Sequence, residues 1–192
     1  MNRSTGPAAP ARRHAAGALL LAPLAGLGGC APAHDWREVR SDDVGCWVML
    51  PGRPAQMTRT IHLEDLKLEM TMIGAQAGDV SYTVGGVALP DGAEATLQRA
   101  LAAMRTAMVR NIGGTERAAR SVRVTRVDGG GQPLGSVAGV EVRADGRMRE
   151  REVTLLARFV GVGRHAWQAV VLGTRPDPEA ATVFLDSLKL RR

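Results

Sequence analysis

Alternation dominates the hydrophobic pattern of this chain. Leu66, Leu68, Met70 and Met72 alternate with Lys67, Glu69 and Thr71, the period of two that puts one face of a strand on a core and the other in water. Val80, Tyr82 and Val84 repeat it ahead of Gly85-Gly86. The apolar run Gly45–Leu50 stops at Pro51-Gly52-Arg53-Pro54, which reads as a strand and then a turn. Further strands are predicted at 36–39, 57–62, 121–127, 139–143, 148–160 and 165–172. Turns are predicted at Leu63-Glu64-Asp65, at Asp145-Gly146 and at 161–164, where hairpin-type residues separate the runs.

Two stretches change period. Leu97, Leu101, Met104, Met108 and Ile112 recur at spacings of 4, 3, 4 and 4, one apolar stripe along a helix. Asp91 and Glu94 resemble a capping box at its start, and Gly113-Gly114 ends it. The Met104/Met108 pair reads as core, since neither has another Met placed to complete a thioether site. A last helix is predicted after Thr174 or Asp177, with Pro178 in its first turn and Ala180, Val183, Phe184 and Leu188 on its buried face. Strands with two segregated helices predict an α+β domain over 36–192, an antiparallel sheet sandwiched or flanked by the helices.

Composition narrows the function classes. Hydrophobic residues are 45% and charged residues 23% of the 192, which excludes a wholly disordered chain and a multi-span membrane protein. Aromatics are only 3%, too sparse for a platform that stacks single-stranded nucleic acid. The formal charge of +6 falls to +3 without Arg3, Arg12 and Arg13. A balance that small, spread along the chain, is no nucleic-acid footprint.

Those three arginines open an export-type leader. After them, Ala15–Leu27 is an uncharged apolar run of 13 residues, suited to a signal peptide and short of the about 20 needed to span a bilayer. It ends in Leu27-Gly28-Gly29-Cys30. This resembles the bacterial lipoprotein signal: cleavage between Gly29 and Cys30, with acyl chains on the thiol and the new amine of Cys30. Several chains make a stable anchor where one would not. Residues 1–29 then form the signal peptide and 30–35 a short tether. By the same resemblance, Ala31 after the lipidated position favours the outer membrane, facing the periplasm. The alternative is cleavage after Ala31-Pro32-Ala33, which leaves a soluble periplasmic protein. Arg12-Arg13 leaves both the general and the twin-arginine export routes open. Either cleavage leaves Cys46 without a partner in its own chain, and Cys46 beside Trp47 reads as a buried small apolar residue.

Four segments, VGCWVMLPGRP, VAGVEVRADGRMRERE, FVGVGRHAWQAVVLG and FLDSLKL, together resemble the DcrB-like and PsbP-like group of small bacterial lipoproteins. The resemblance covers most of the chain after the leader and implies a PsbP-like sheet with flanking helices. It supplies no catalytic residues.

The chemistry-bearing residues do not assemble into a motif. His34, His62 and His165 show no ligand spacing, and Asp42-Asp43 reads as a solvated turn. Ser81, Ser121, Ser136 and Ser187 lack a nucleophile elbow, and Gly129-Gly130-Gly131 is followed by no Lys-Ser/Thr. No catalytic residue, cofactor or metal is expected. The strongest polar constellation is a hairpin with Arg147, Arg149 and Arg151 on one face, Glu150 and Glu152 on the other, and Glu141 and Arg143 across from it. It reads as cross-strand ion pairing or as a docking surface for an acidic partner or a lipid headgroup. The sequence therefore predicts a noncatalytic, lipid-anchored envelope protein that docks a protein partner. The alternative is a module for a small hydrophobic or lipid ligand. Replacing Cys30 by Ser should release the protein from membranes and remove the acyl mass. Unchanged retention and unchanged mass would refute lipidation.

Overall fold

The computed structural model describes residues 34–191. The leader, with Gly29 and Cys30, lies outside the described residues. Ten strands and two helices follow in order: β1 (Arg37–Ser41), β2 (Cys46–Leu50), β3 (Ala55–Leu63), β4 (Leu66–Ala77), β5 (Val80–Ala88), α1 (Glu94–Asn111), β6 (Thr115–Val127), β7 (Pro133–Met148), β8 (Arg151–Val162), β9 (His165–Gly173), α2 (Pro178–Asp186) and β10 (Lys189–Leu190).

All ten strands join one sheet in the order β1-β2-β10-β6-β7-β8-β9-β5-β4-β3. Every ladder is antiparallel except β10 on β6. This overturns the expected α+β, PsbP-like class. Among the described residues strands predominate, and the sheet curls into a half-barrel accompanied by two helices. The physical reason is width: a twisted sheet this broad rolls up rather than lying as a flat layer.

The curl makes two cores. On the concave side, Phe184, Leu185 and Ala181 of α2 pack with Val48 and Leu50 of β2, Tyr82 and Val84 of β5, and Trp167 of β9. Residues from both halves of the sheet thus meet in one cluster. Trp167 spans the fold, its Nε1–H donating to the Val44 carbonyl at 2.7 Å. Gly86 lets this happen, since a Cβ there would lie 2.8 Å from that carbonyl oxygen. On the other side, Leu97, Ala100 and Met104 of α1 cover Val142, Ala157, Phe159 and Val170. The helix stripe is therefore core, with Leu101 and Met108 at its half-buried margin.

The helix ends follow local chemistry. Asp177 caps α2 by accepting from the Glu179 N–H at 3.1 Å. Asp91 does not cap α1; it accepts from the Ala93 N–H and forms a turn ahead of the helix. Gly113, at φ 53°, ends α1 in a left-handed residue.

The expected Asp145-Gly146 turn is also corrected. Both residues lie inside β7, and the turn falls at Arg149-Glu150, whose φ values are 45° and 66°. Gly146 is needed for close approach: a Cβ would come within 2.3 Å of the Ile112 carbonyl oxygen at the end of α1. The neighbouring Arg147 N–H donates to that same oxygen at 2.7 Å.

Cys46 is fully buried in the concave core, and burial pushes its thiol up to about 12. An unfolded chain ionises the thiol near its ordinary value of about 8.5. Above that pH the unfolded state sheds the proton first, so stability should fall by about 1.4 kcal/mol per pH unit until the folded thiol titrates. Denaturant midpoints from pH 8 to 10.5 should show this slope, reduced in Cys46→Ala. Equal slopes in both proteins would contradict it.

Candidate functional site

The structure divides the hairpin that the sequence brings together. Arg147 sits opposite Glu152, with Nη2 3.8 Å from Oε1 and both side chains largely in water. Arg149 and Glu150 form the turn itself and belong to neither strand. Arg151 pairs with Met148 and so points to the face opposite Arg147. Glu141 and Arg143 pair with Arg158 and Leu156, far along the ladder from the turn. The expected single arginine face therefore does not form. The alternation it relied on breaks at the two-residue turn.

Glu141 instead organises an ion cluster around the buried Arg158 side chain, with Arg120 and Asp186 at its exposed margin. Its Oε2 accepts from Arg158 Nη2 at 2.6 Å and Nε at 3.1 Å, and its Oε1 accepts from Arg120 Nε at 2.8 Å. The Arg158 side chain is only 4% exposed. It also donates to Asp186 Oδ1 at 2.8 Å and to the Leu185 carbonyl at 2.7 Å. The last turn of α2 has no basic residue of its own. Arg158 supplies that cation from the sheet, where the helix dipole is negative. Ser187 completes the attachment: its hydroxyl donates to the Phe184 carbonyl and accepts from the Met49 N–H of β2, at 2.7 and 2.8 Å. Sequence reasoning missed Arg158. Its signal was a single charge within the apolar run Leu155–Val162.

An open cleft of about 700 Å³ lies between the β1–β2 hairpin and the start of β3. Arg40, Asp42, Asp43, Trp47, Gln56 and Arg191 line it. The Arg40 guanidinium lies 3.9 Å from the Trp47 ring centroid and also pairs with Glu38. Asp42 pairs with Arg191, whereas Asp43 accepts from Gln56 Nε2 at 2.8 Å. The adjacent acids thus turn to different partners rather than converging. A neighbouring cleft of about 410 Å³ is more apolar, with Met57, Met72, Ile73 and Ala75 in its wall. Among the described residues, no group of three or more His, Cys, Asp or Glu is placed to hold a metal.

The histidines stand on different elements. His34, assigned to the tether, stacks on Trp36 at 5.4 Å and meets the Tyr82 ring edge-on at 6.3 Å. His62 lies on β3 opposite Lys67, and His165 lies against Trp167 at 5.7 Å.

Beside these clefts runs an open edge of the sheet. β3 is the edge strand, nine residues long, and eight of its side chains other than Leu63 are exposed or half-buried. Met57 is 57% exposed. The opposite edge, β1, has five residues.

Replacing Arg158 by Ala should cost about 1–3 kcal/mol, since it leaves the Leu185 carbonyl without its buried donor while Glu141 keeps Arg120. Arg158→Met should cost less, because it fills the space without a charge. Equal melting temperatures for the wild type and Arg158→Ala would show that the cluster contributes nothing.

No family model matches the chain, and no curated protein matches it. Among solved structures, it is similar to a protein of unknown function, PA94, from Pseudomonas aeruginosa. The identity is 11%, the TM-score is 0.36, and the match covers 61% of this chain and 83% of that one. A likeness at that level carries no argument about fold or function.

Proposed function

We propose that this chain is a noncatalytic, lipid-anchored envelope protein whose domain docks a protein partner through the edge of its sheet. The carrying observation is β3. A nine-residue edge strand leaves a row of backbone N–H and C=O groups open to another strand. Alternate side chains offer specificity: Met57 stands with Met72 on one face, and Thr58 and Thr60 bond Thr71 and Glu69 on the other. The titratable groups near the clefts support a binding role over catalysis. Asp42, Asp43, Arg40 and Arg191 are each engaged with a neighbour.

The second reading, a module for a small hydrophobic ligand, draws on the 410 Å³ cleft walled by Met57, Met72 and Ile73. That cleft is open and adjoins the same edge strand, so an apolar side chain of a docked segment could equally fill it.

A photo-crosslinking residue placed at Met57 or at Arg151 in the envelope separates these outcomes. A discrete protein adduct from Met57, absent from Arg151, is expected. Adducts from Arg151 alone would move docking to the β7–β8 turn and overturn the edge-strand reading. An absence of protein adducts at both positions would overturn protein docking.

A further inference from the structure

Methionines gather on one face of the sheet near its β3 edge. Met57 of β3 pairs with Met72 of β4, and Met72 pairs with Gly85 of β5. Directly opposed residues share a face, and Met70, two positions from Met72, shares it too. Gly85 leaves a gap in that face. A Cβ there would lie 3.0 Å from Met70 Sδ and 3.1 Å from Met72 Cγ, so both side chains reach into the same gap. Met57 stands next to Met72 on the side of the open edge, and both line the cleft of about 410 Å³. Met70 is buried, Met72 half-buried and Met57 exposed. The set therefore runs from the core to a mouth in the solvent.

Gln168 adds an independent feature. It is the partner of Gly85 on β9 and is 8% exposed, and its Nε2–H donates to Met70 Sδ at 3.8 Å. A buried carboxamide thus holds the Met70 sulfur over the gap. A thioether sulfur is a weak acceptor with two lone pairs, and this bond occupies one of them. Methionine is unbranched and turns about three bonds, so Met57 and Met72 can close on an ion without backbone movement.

We propose that Met57, Met70 and Met72 form a binding site for a soft monovalent metal ion, copper(I). The donor set decides the class. Thioethers are neutral and polarisable and favour Cu(I), whereas Mg²⁺ and Ca²⁺ take oxygen ligands, charged carboxylates among them. Arg59 lies opposite Met70 on the same face, and its charge repels a divalent ion twice as strongly as a monovalent one. Glu69 alternates to the other face of β4, opposite Thr60, and so brings no carboxylate to the set. The site goes beyond the docking reading and does not depend on it. Along the chain Met70 and Met72 read simply as the buried side of a strand, and only the register brings Met57 to them.

The test uses the purified full chain carrying ¹³C in its methionine methyl groups. It is titrated in chloride-free buffer with Ag(I), a redox-inert probe for Cu(I), and then with Cu(I) kept reduced by ascorbate. The methyl resonances of Met57, Met70 and Met72 should shift together and saturate at one equivalent, while those of Met49, Met104 and Met108 stay in place. These resonances report thioether coordination directly, so silver held by a cysteine does not count as support. Met72→Leu, which keeps the volume, should weaken binding about tenfold or more, and Met148→Leu, at another exposed methionine, should leave it unchanged. Thioethers carry no titratable proton, so affinity should hold from about pH 7 to pH 5. Shifts confined to the exposed Met57 and Met148 would mean an adventitious surface contact and would overturn the site. Binding lost at the lower pH would assign the ion to a histidine or thiolate and overturn it as well. An unchanged affinity in Met72→Leu would do the same.

Discussion

A broad twisted sheet must roll, and the space inside the roll must be filled. That constraint organises this domain. Ten strands accumulate enough twist to bring β2 toward β5 and β9, and α2 occupies the concavity between them. Phe184 is the plug: it is fully buried and meets Tyr82 ring-edge to ring-face at 5.5 Å. The plug needs a fixed orientation as well as a hydrophobic surface. Arg158 and Ser187 provide it by holding the last turn of α2 to β8 and β2. A buried guanidinium is costly to desolvate, so it is tolerated only because Glu141, Asp186 and a carbonyl surround it.

The clefts follow from the same rolling. A half-barrel does not close, so its two edges stay apart. The β1–β2 hairpin and the start of β3 frame the larger cleft between them. The charges there are paired locally, Arg40 on Trp47 and Asp42 on Arg191, beside the open edge of β3.

Much of this was legible in the residues, for identifiable reasons. Strands with one wet face, such as β4 and β5, alternate because burial alternates. The α1 stripe is legible because one helix face meets Phe159 and Val170. The first half of β6 was not: Thr115 to Ser121 are almost all exposed, so no period marks them as a strand. Asp145-Gly146 misled because glycine serves close approach to Ile112 rather than a turn. Arg158 and Glu141 were separated by sequence distance and joined only by register. The class itself was misjudged because the number and order of strands in a sheet depend on pairings that no local pattern encodes. β10, two residues long, was the least visible element and among the most connected.

That small strand sets the order of assembly. β1 pairs only with β2, and β2 reaches the remainder of the sheet only through Lys189 and Leu190. The opening hairpin of the domain therefore has no strand to pair with until nearly the last residues have emerged. Completion waits on contacts separated by more than a hundred positions, the kind that slow folding most. A nascent chain short of Leu190 leaves only its β1–β2 hairpin outside the ladder, since β5 already pairs with β9.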